Sequence, residues 1–194
     1  MRGQYSVVFD GGTLEHVFHF PQALQNCIEM LRVGGTFIQC TPANNFTGHG
    51  FYQFSPELAF QVFTAANGFD SPTVLVWEDV RGGHAWVVAN PADVRKRVQM
   101  TTRLPMLMGI IARKVANQPV FATAPQQTDY AVAWRAGEGS SGVYARPRPG
   151  LRQLLQYAPA PLERLLRALY TPTLASDCYR PISSDAIAKG HFAP

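Results

Sequence analysis

Five histidines are spread through the 194-residue chain, and His49 has the setting best suited to chemistry. It sits between Gly48 and Gly50 in a loop, PANNFTGHGFYQF, that follows a short apolar run. Histidine titrates near neutral pH, so an imidazole on such a loop can take a proton from an attacking hydroxyl or amine. The same ring can instead brace the loop through its two nitrogens. Asn45, Tyr52 and Gln53 share the loop and are candidates to hold a polar substrate; they can equally satisfy loop backbone groups. Phe51 and Phe54 read as apolar anchors of the loop. His16 and His19 form H-x-x-H, but the glutamate of H-E-x-x-H is missing and no third ligand follows at a recognisable spacing. No metal site is expected from them. Cys27, Cys40 and Cys178 are odd in number, widely spaced and without C-x-x-C. They read as reduced, buried thiols rather than as a disulfide framework or a zinc site.

The elements that position these residues follow from periodicity. Residues 5–9, YSVVF, form a β-branched and aromatic run ending at Asp10-Gly11-Gly12, which predicts a buried strand. Pro21 opens PQALQNCIEMLR, whose apolar positions Ala23, Leu24, Cys27, Ile28 and Leu31 recur at helical spacing. Gly34-Gly35 is expected to stop that helix. Residues 36–40, TFIQC, predict a second strand, so the opening forms a βαβ unit with two parallel strands and a right-handed crossover. Ser55 as N-cap and Pro56 at the first position start a second helix, with Leu58, Ala59, Val62, Phe63 and Ala66 as its apolar stripe and Asn67-Gly68 as its end. Residues 73–80, TVLVWEDV, predict a third strand and residues 128–136, TDYAVAWRA, a fourth. Between them, ADVRKRVQMTTRLPMLMGIIARKVA reads as an insertion with helical character broken near Pro105. Three segments are expected: an α/β portion over 1–136, a linker over 137–150 and a tail over 151–194 with a short amphipathic helix, PLERLLRALY.

Composition bounds what the chain can be. Apolar residues make up 46% and charged residues 15%, which predicts a folded domain rather than a disordered chain. No apolar run approaches the roughly 20 residues needed to cross a bilayer, and MRGQYSVVFD reaches Asp10 too soon for a signal peptide. A cytoplasmic location and no membrane partner are expected. The net charge of +4 is weak and scattered. Its densest cluster, Arg95, Lys96 and Arg97, loosely joined by Arg103, Arg113 and Lys114, reads as a solvated helix face. No aromatic stacking platform is interleaved, so no nucleic-acid partner is expected.

The series YSVVFDGGTLEHVFHFPQALQNCIEMLRVGGTFIQCTP resembles the second half of a class I (type 11-like) S-adenosylmethionine-dependent methyltransferase domain. The resemblance rests on the order of VVFD, L-E-H at 14–16, the helix ending at Leu31, Gly34-Gly35 and FIQCTP. It covers residues 5–70, thins over 71–136 and does not extend to 137–194. It implies a partial class I methyltransferase sheet, strands four to seven, with a parallel pair plus an antiparallel edge. It implies S-adenosylmethionine as cofactor, with Asp10, Gly11, Gly12, Thr13 and His16 on the cofactor side and His49 as the catalytic base. Asn45, Tyr52 and Gln53 would lie on the side of a small-molecule or carbohydrate-like acceptor.

The chain departs from the family where the cofactor is gripped. The family's glycine-rich loop after its first strand, and the acid ending its second, have no counterpart in these residues. Gly11-Gly12 follows the wrong strand and lacks G-x-G-x-x-G spacing. The resemblance therefore implies a truncated C-terminal portion with weak or no cofactor binding alone. Without the family's first strand, YSVVF becomes an exposed edge. The rival expectation is a non-catalytic module that pairs through that edge with a second copy or with a partner chain.

Overall fold

The computed structural model describes residues 2–135, 174, 177–183, 186 and 189. The architecture is α/β: a mixed six-stranded sheet with a few helices. The expected linker over 137–150 and the helix PLERLLRALY lie outside the described residues.

The opening forms as its periodicity predicts. Strand β1 (Tyr5–Asp10), helix α1 (Phe20–Met30) and strand β2 (Leu31–Asn44) make a βαβ unit in which β1 and β2 run parallel, with Val8 opposite Phe37 and Asp10 opposite Gln39. The helix stops earlier than Gly34-Gly35 predicts. Leu31 is already extended (φ −71°, ψ 134°). The last helical carbonyls need no glycine cap because a buried cation serves them: Lys114 Nζ donates to Ile28 O (3.0 Å) and Leu31 O (2.9 Å). Burial pushes the Lys114 ammonium down from its ordinary range. The glycine pair instead turns the chain into the sheet. Gly34 has φ +82°, and a side chain on Gly35 would meet backbone oxygens of Arg32 and Tyr5 at 2.9 and 3.0 Å.

Helix α2 (Pro56–Val62) follows Ser55, which occupies the N-cap position without a side-chain capping bond. Ala59, Phe60, Val62 and Phe63 are buried, whereas Ala66 is exposed because the α-helix ends at Val62. A 3-10 turn, Ala65–Asn67, and a left-handed Gly68 complete the segment. Strands β3 (Thr73–Glu78) and β4 (Ala85–Val88) form a hairpin, and a short helix α3 (Pro91–Val94) follows.

Two expectations are corrected beyond this point. The MLMGIIAR stretch is strand β5 (Met106–Arg113), which lies between β2 and β3 and runs antiparallel to both. The TDYAVAWRA segment is helix α4 (Thr128–Arg135), not a strand. Its first turn is hooked to distant groups. The Thr128 N–H and hydroxyl both donate to Glu57 Oε1 at 2.7 Å, and Arg97 Nε donates to Asp129 Oδ2 at 2.8 Å. A three-residue strand, β6 (Tyr179–Pro181), closes the far edge against β4. The sheet order is β1-β2-β5-β3-β4-β6. Antiparallel pairing thus occupies the centre of the sheet as well as an edge.

The basic cluster is not a helix face. Helix α3 spans only four residues, and Arg95 beyond it is left-handed (φ 52°). Lys96 pairs with Asp177, Arg97 with Asp129, and Lys114 is buried.

One face of the sheet carries the core. Phe37, Ala112, Ile110, Met108, Val74 and Val76 lie along it, joined by Leu24 and Ile28 of α1. Phe63 stacks on Phe37 (centroids 5.0 Å) and meets Phe69 edge-on (5.1 Å). The other face is less covered near β1, where Tyr5, Val7 and Phe9 are exposed, Phe9 by 66%. Among the described residues β1 pairs only with β2, so it is an edge strand. No described helix is long and apolar enough to cross a membrane.

Candidate functional site

The two loops that leave the carboxyl ends of the parallel pair meet at one end of the sheet. In open α/β sheets this is the end at which ligands sit. The first loop is a tight device. Asp10 is buried; its Oδ1 accepts the Thr13 N–H (2.9 Å) and its Oδ2 accepts Gln39 Nε2 (2.8 Å). Gly12 turns the chain at φ +95°. Thr13 then begins the 3-10 turn Leu14–His16, which sends the Leu14 side chain into the core and buries Glu15.

The second loop docks on that turn. Glu15 O accepts the Phe51 N–H (2.8 Å) and the Tyr52 N–H (3.2 Å). Gly50 allows the approach: it has φ +69°, and a side chain there would meet Glu15 O at 2.9 Å and Glu15 Cγ at 3.1 Å. Tyr52 Oη donates to Phe18 O (2.7 Å), and Gln53 Oε1 accepts the Phe46 N–H (2.8 Å). Asn45, left-handed at φ 61°, sends its amide to Thr102 O and Leu104 O, each at 3.0 Å. Asn45, Tyr52 and Gln53 thus shape and tether the loop with the polar atoms named as candidate substrate ligands. Phe54 is buried, as an anchor should be. Phe51 is not: it is 68% exposed and meets Phe18, itself 78% exposed, edge-on at 6.2 Å. Its backbone, rather than its ring, holds the loop.

The docking brings His49 to Glu15 and His16. His49 Nε2 lies 3.7 Å from Glu15 Oε1, and the His16 and His49 ring centroids are 4.8 Å apart. His49 is about half exposed, whereas the Glu15 side chain is completely buried. Neither Glu15 carboxylate oxygen has a hydrogen-bond partner. The sequence reading names His16 and His49 but does not unite them, and it gives Glu15 no task. Cys40 lies nearby. Burial, and then the carboxylates of Glu15 and Asp10, push its thiol up, so it is a poor nucleophile.

No protein-family model and no curated protein matches the chain.

The cofactor-side candidates Asp10, Gly11, Gly12, Thr13 and His16 are contiguous with this cluster, and His49 faces it from the second loop. Two hollows lie elsewhere. One of about 930 Å³ is bordered by Gln61, Asn67, Arg95 and Thr128. One of about 430 Å³ is bordered by Phe60, Val74, Val88 and Cys178. Neither includes a residue named as a cofactor-side, acceptor-side or catalytic candidate. All three cysteines are free thiols, as expected, although only Cys178 is fully buried.

Proposed function

We propose that the chain is the acceptor-side portion of a class I S-adenosylmethionine-dependent methyltransferase, acting on a small-molecule or carbohydrate-like acceptor. The observation that carries this reading is the convergence of the 10–16 and 45–54 loops at the carboxyl ends of a parallel strand pair, with His49 at the meeting point. The parallel β1–β2 pair supports the reading, while the antiparallel strands run through the centre of the sheet as well as its edge. Methyl transfer asks mainly for alignment of nucleophile, carbon and sulfur, plus removal of one proton. His49 is half exposed and can take that proton from an acceptor hydroxyl. The Phe18–Phe51 pair beside it offers an apolar wall for the C–H face of a sugar ring.

In this reading the chain alone holds the cofactor weakly, because no G-x-G-x-x-G loop is present among its residues. Titrating the chain with S-adenosylmethionine under amide NMR is expected to shift resonances of residues 10–16, with saturation only in the millimolar range. Shifts confined to other residues, or none at all, would overturn the assignment of the cofactor side. Micromolar affinity would overturn the reading as a dependent portion.

A second reading is favoured by the exposed row Tyr5, Val7 and Phe9 on an edge strand. Among the described residues this edge offers Val7 and Phe9 as an apolar strip and suits strand addition by a second copy of the chain. Sedimentation is expected to show a dimer that Val7→Lys converts to monomer. A monomer at every concentration would remove this reading.

A further inference from the structure

We propose that Glu15, His16 and His49 together bind one divalent transition-metal ion of the zinc or cobalt type. The proposal stands on the geometry of these three side chains and does not depend on the methyl-transfer reading.

The first observation is the state of Glu15. Its carboxylate is completely buried, and neither oxygen receives a hydrogen bond. A carboxylate stripped of water without donors is costly, and native interiors rarely leave one so. His49 Nε2 lies 3.7 Å from Oε1, too far for a hydrogen bond. A cation held between them supplies what both groups lack.

The second observation is the donor set. One carboxylate oxygen and one nitrogen from each of two imidazoles all lie within 4.8 Å of one another. Two histidines and a glutamate suit zinc and its neighbours in the first transition row, whereas magnesium and calcium favour all-oxygen sites. Bond lengths near 2.1 Å place tetrahedral ligand atoms about 3.4 Å apart. The cluster, with atoms up to 4.8 Å apart, must therefore contract by up to about 1.4 Å. Both histidines are exposed and can swing inward, while Glu15 stays fixed.

The third observation is how the cluster is held. The backbone carbonyl of Glu15 accepts the Phe51 and Tyr52 N–H groups, so the residue that offers the carboxylate also anchors the loop that offers His49. Gly12 keeps the space before the carboxylate open. A side-chain carbon there would come within 3.2 Å of Oε1. Three protein ligands with two rings at the surface leave the outward coordination position for water or for an acceptor oxygen, the pattern of a reactive site rather than a closed structural one. With an ion bound, His49 gives its lone pair to the metal, and the acidity of a bound oxygen is set by the ion.

The test uses the full chain, stripped of metal with a chelator and titrated with Co²⁺ alone while visible absorption is followed. The expected result is one Co²⁺ per chain with micromolar or tighter affinity, displaced by Zn²⁺. His16→Ala and His49→Ala should each weaken uptake by about tenfold or more, and Glu15→Gln should abolish it. His19→Ala, three residues further along the chain and outside the cluster, should leave uptake unchanged. Because His16 and His49 are exposed, their variants keep the test decisive if Glu15→Gln does not fold. Lack of saturable uptake at millimolar Co²⁺, or uptake that survives both histidine variants, would overturn the site. Either result leaves the S-adenosylmethionine titration untouched, so the two readings fail separately.

Discussion

Phe37→Ala is expected to lower the stability of the protein by about 3–5 kcal/mol, the range for removing a large aromatic from a close-packed core. Phe37 is fully buried in β2, the strand that joins the parallel and antiparallel parts of the sheet. Its ring stacks on Phe63, which in turn meets Phe69. Its register partners are Val8 on one side and Ala112 on the other, so truncation leaves a void bordered by two strands and the segment after α2. The two flanking strands are hydrogen-bonded to β2 and cannot collapse inward without breaking the ladder. Denaturant unfolding with an unchanged slope would measure the loss. Phe9→Ala on the neighbouring strand supplies the contrast. That ring is mostly exposed, and the expected change is within about 0.5 kcal/mol. A loss at Phe37 below about 1 kcal/mol would show that the core does not pack around this ring.

Gly68→Ala is expected to cost about 3 kcal/mol or more, although it adds a single methyl group. Gly68 is left-handed (φ +84°), and a β-carbon there would stand 2.2 Å from Ala116 O. The clash is with backbone and cannot be relieved by a rotamer change. The Gly68 carbonyl also accepts the N–H groups of Val115 (2.8 Å) and Ala116 (3.1 Å), which follow β5. Moving the segment away to relieve the clash would therefore break two hydrogen bonds. The same substitution at Gly34, also left-handed but with nothing within 4 Å, isolates the conformational part and should cost about 1 kcal/mol. Equal thermal midpoints for the two variants would refute this account.

The parts of the fold legible in the sequence are those whose partners lie close along the chain. YSVVF and TFIQC are runs of β-branched and aromatic residues bounded by glycine or proline, and Pro21 marks the start of α1. The misread parts depend on remote partners. TDYAVAWRA carries a five-residue apolar run, residues 130–134, too short for its period to decide between helix and strand. Its helix is decided by Glu57 and Arg97, 71 and 32 residues from the groups they hold. MLMGIIAR is an apolar run too short for its period to decide between helix and strand, and only the gap between β2 and β3 makes it central. The early end of α1 depends on Lys114, 86 residues beyond the Ile28 carbonyl that it serves. The candidate site divides in the same way. His16 and His49 stand out as residue types in loops. The isolation of the Glu15 carboxylate does not, because it arises only when the 45–54 loop docks on the Glu15 carbonyl.

The position of β5 in the chain, after both strands that it joins, governs the order in which the sheet can form. During synthesis the β1–α1–β2 unit and the β3–β4 hairpin leave the ribosome first, each carrying half of a sheet with no central strand to join them. Until residues 106–113 emerge, the nascent polypeptide carries two hydrogen-bonding borders, one on β2 and one on β3, that only β5 covers. Insertion of β5 seals both of these borders at once and joins the two halves of the sheet, and β6 covers the β4 border only when residues 179–181 follow.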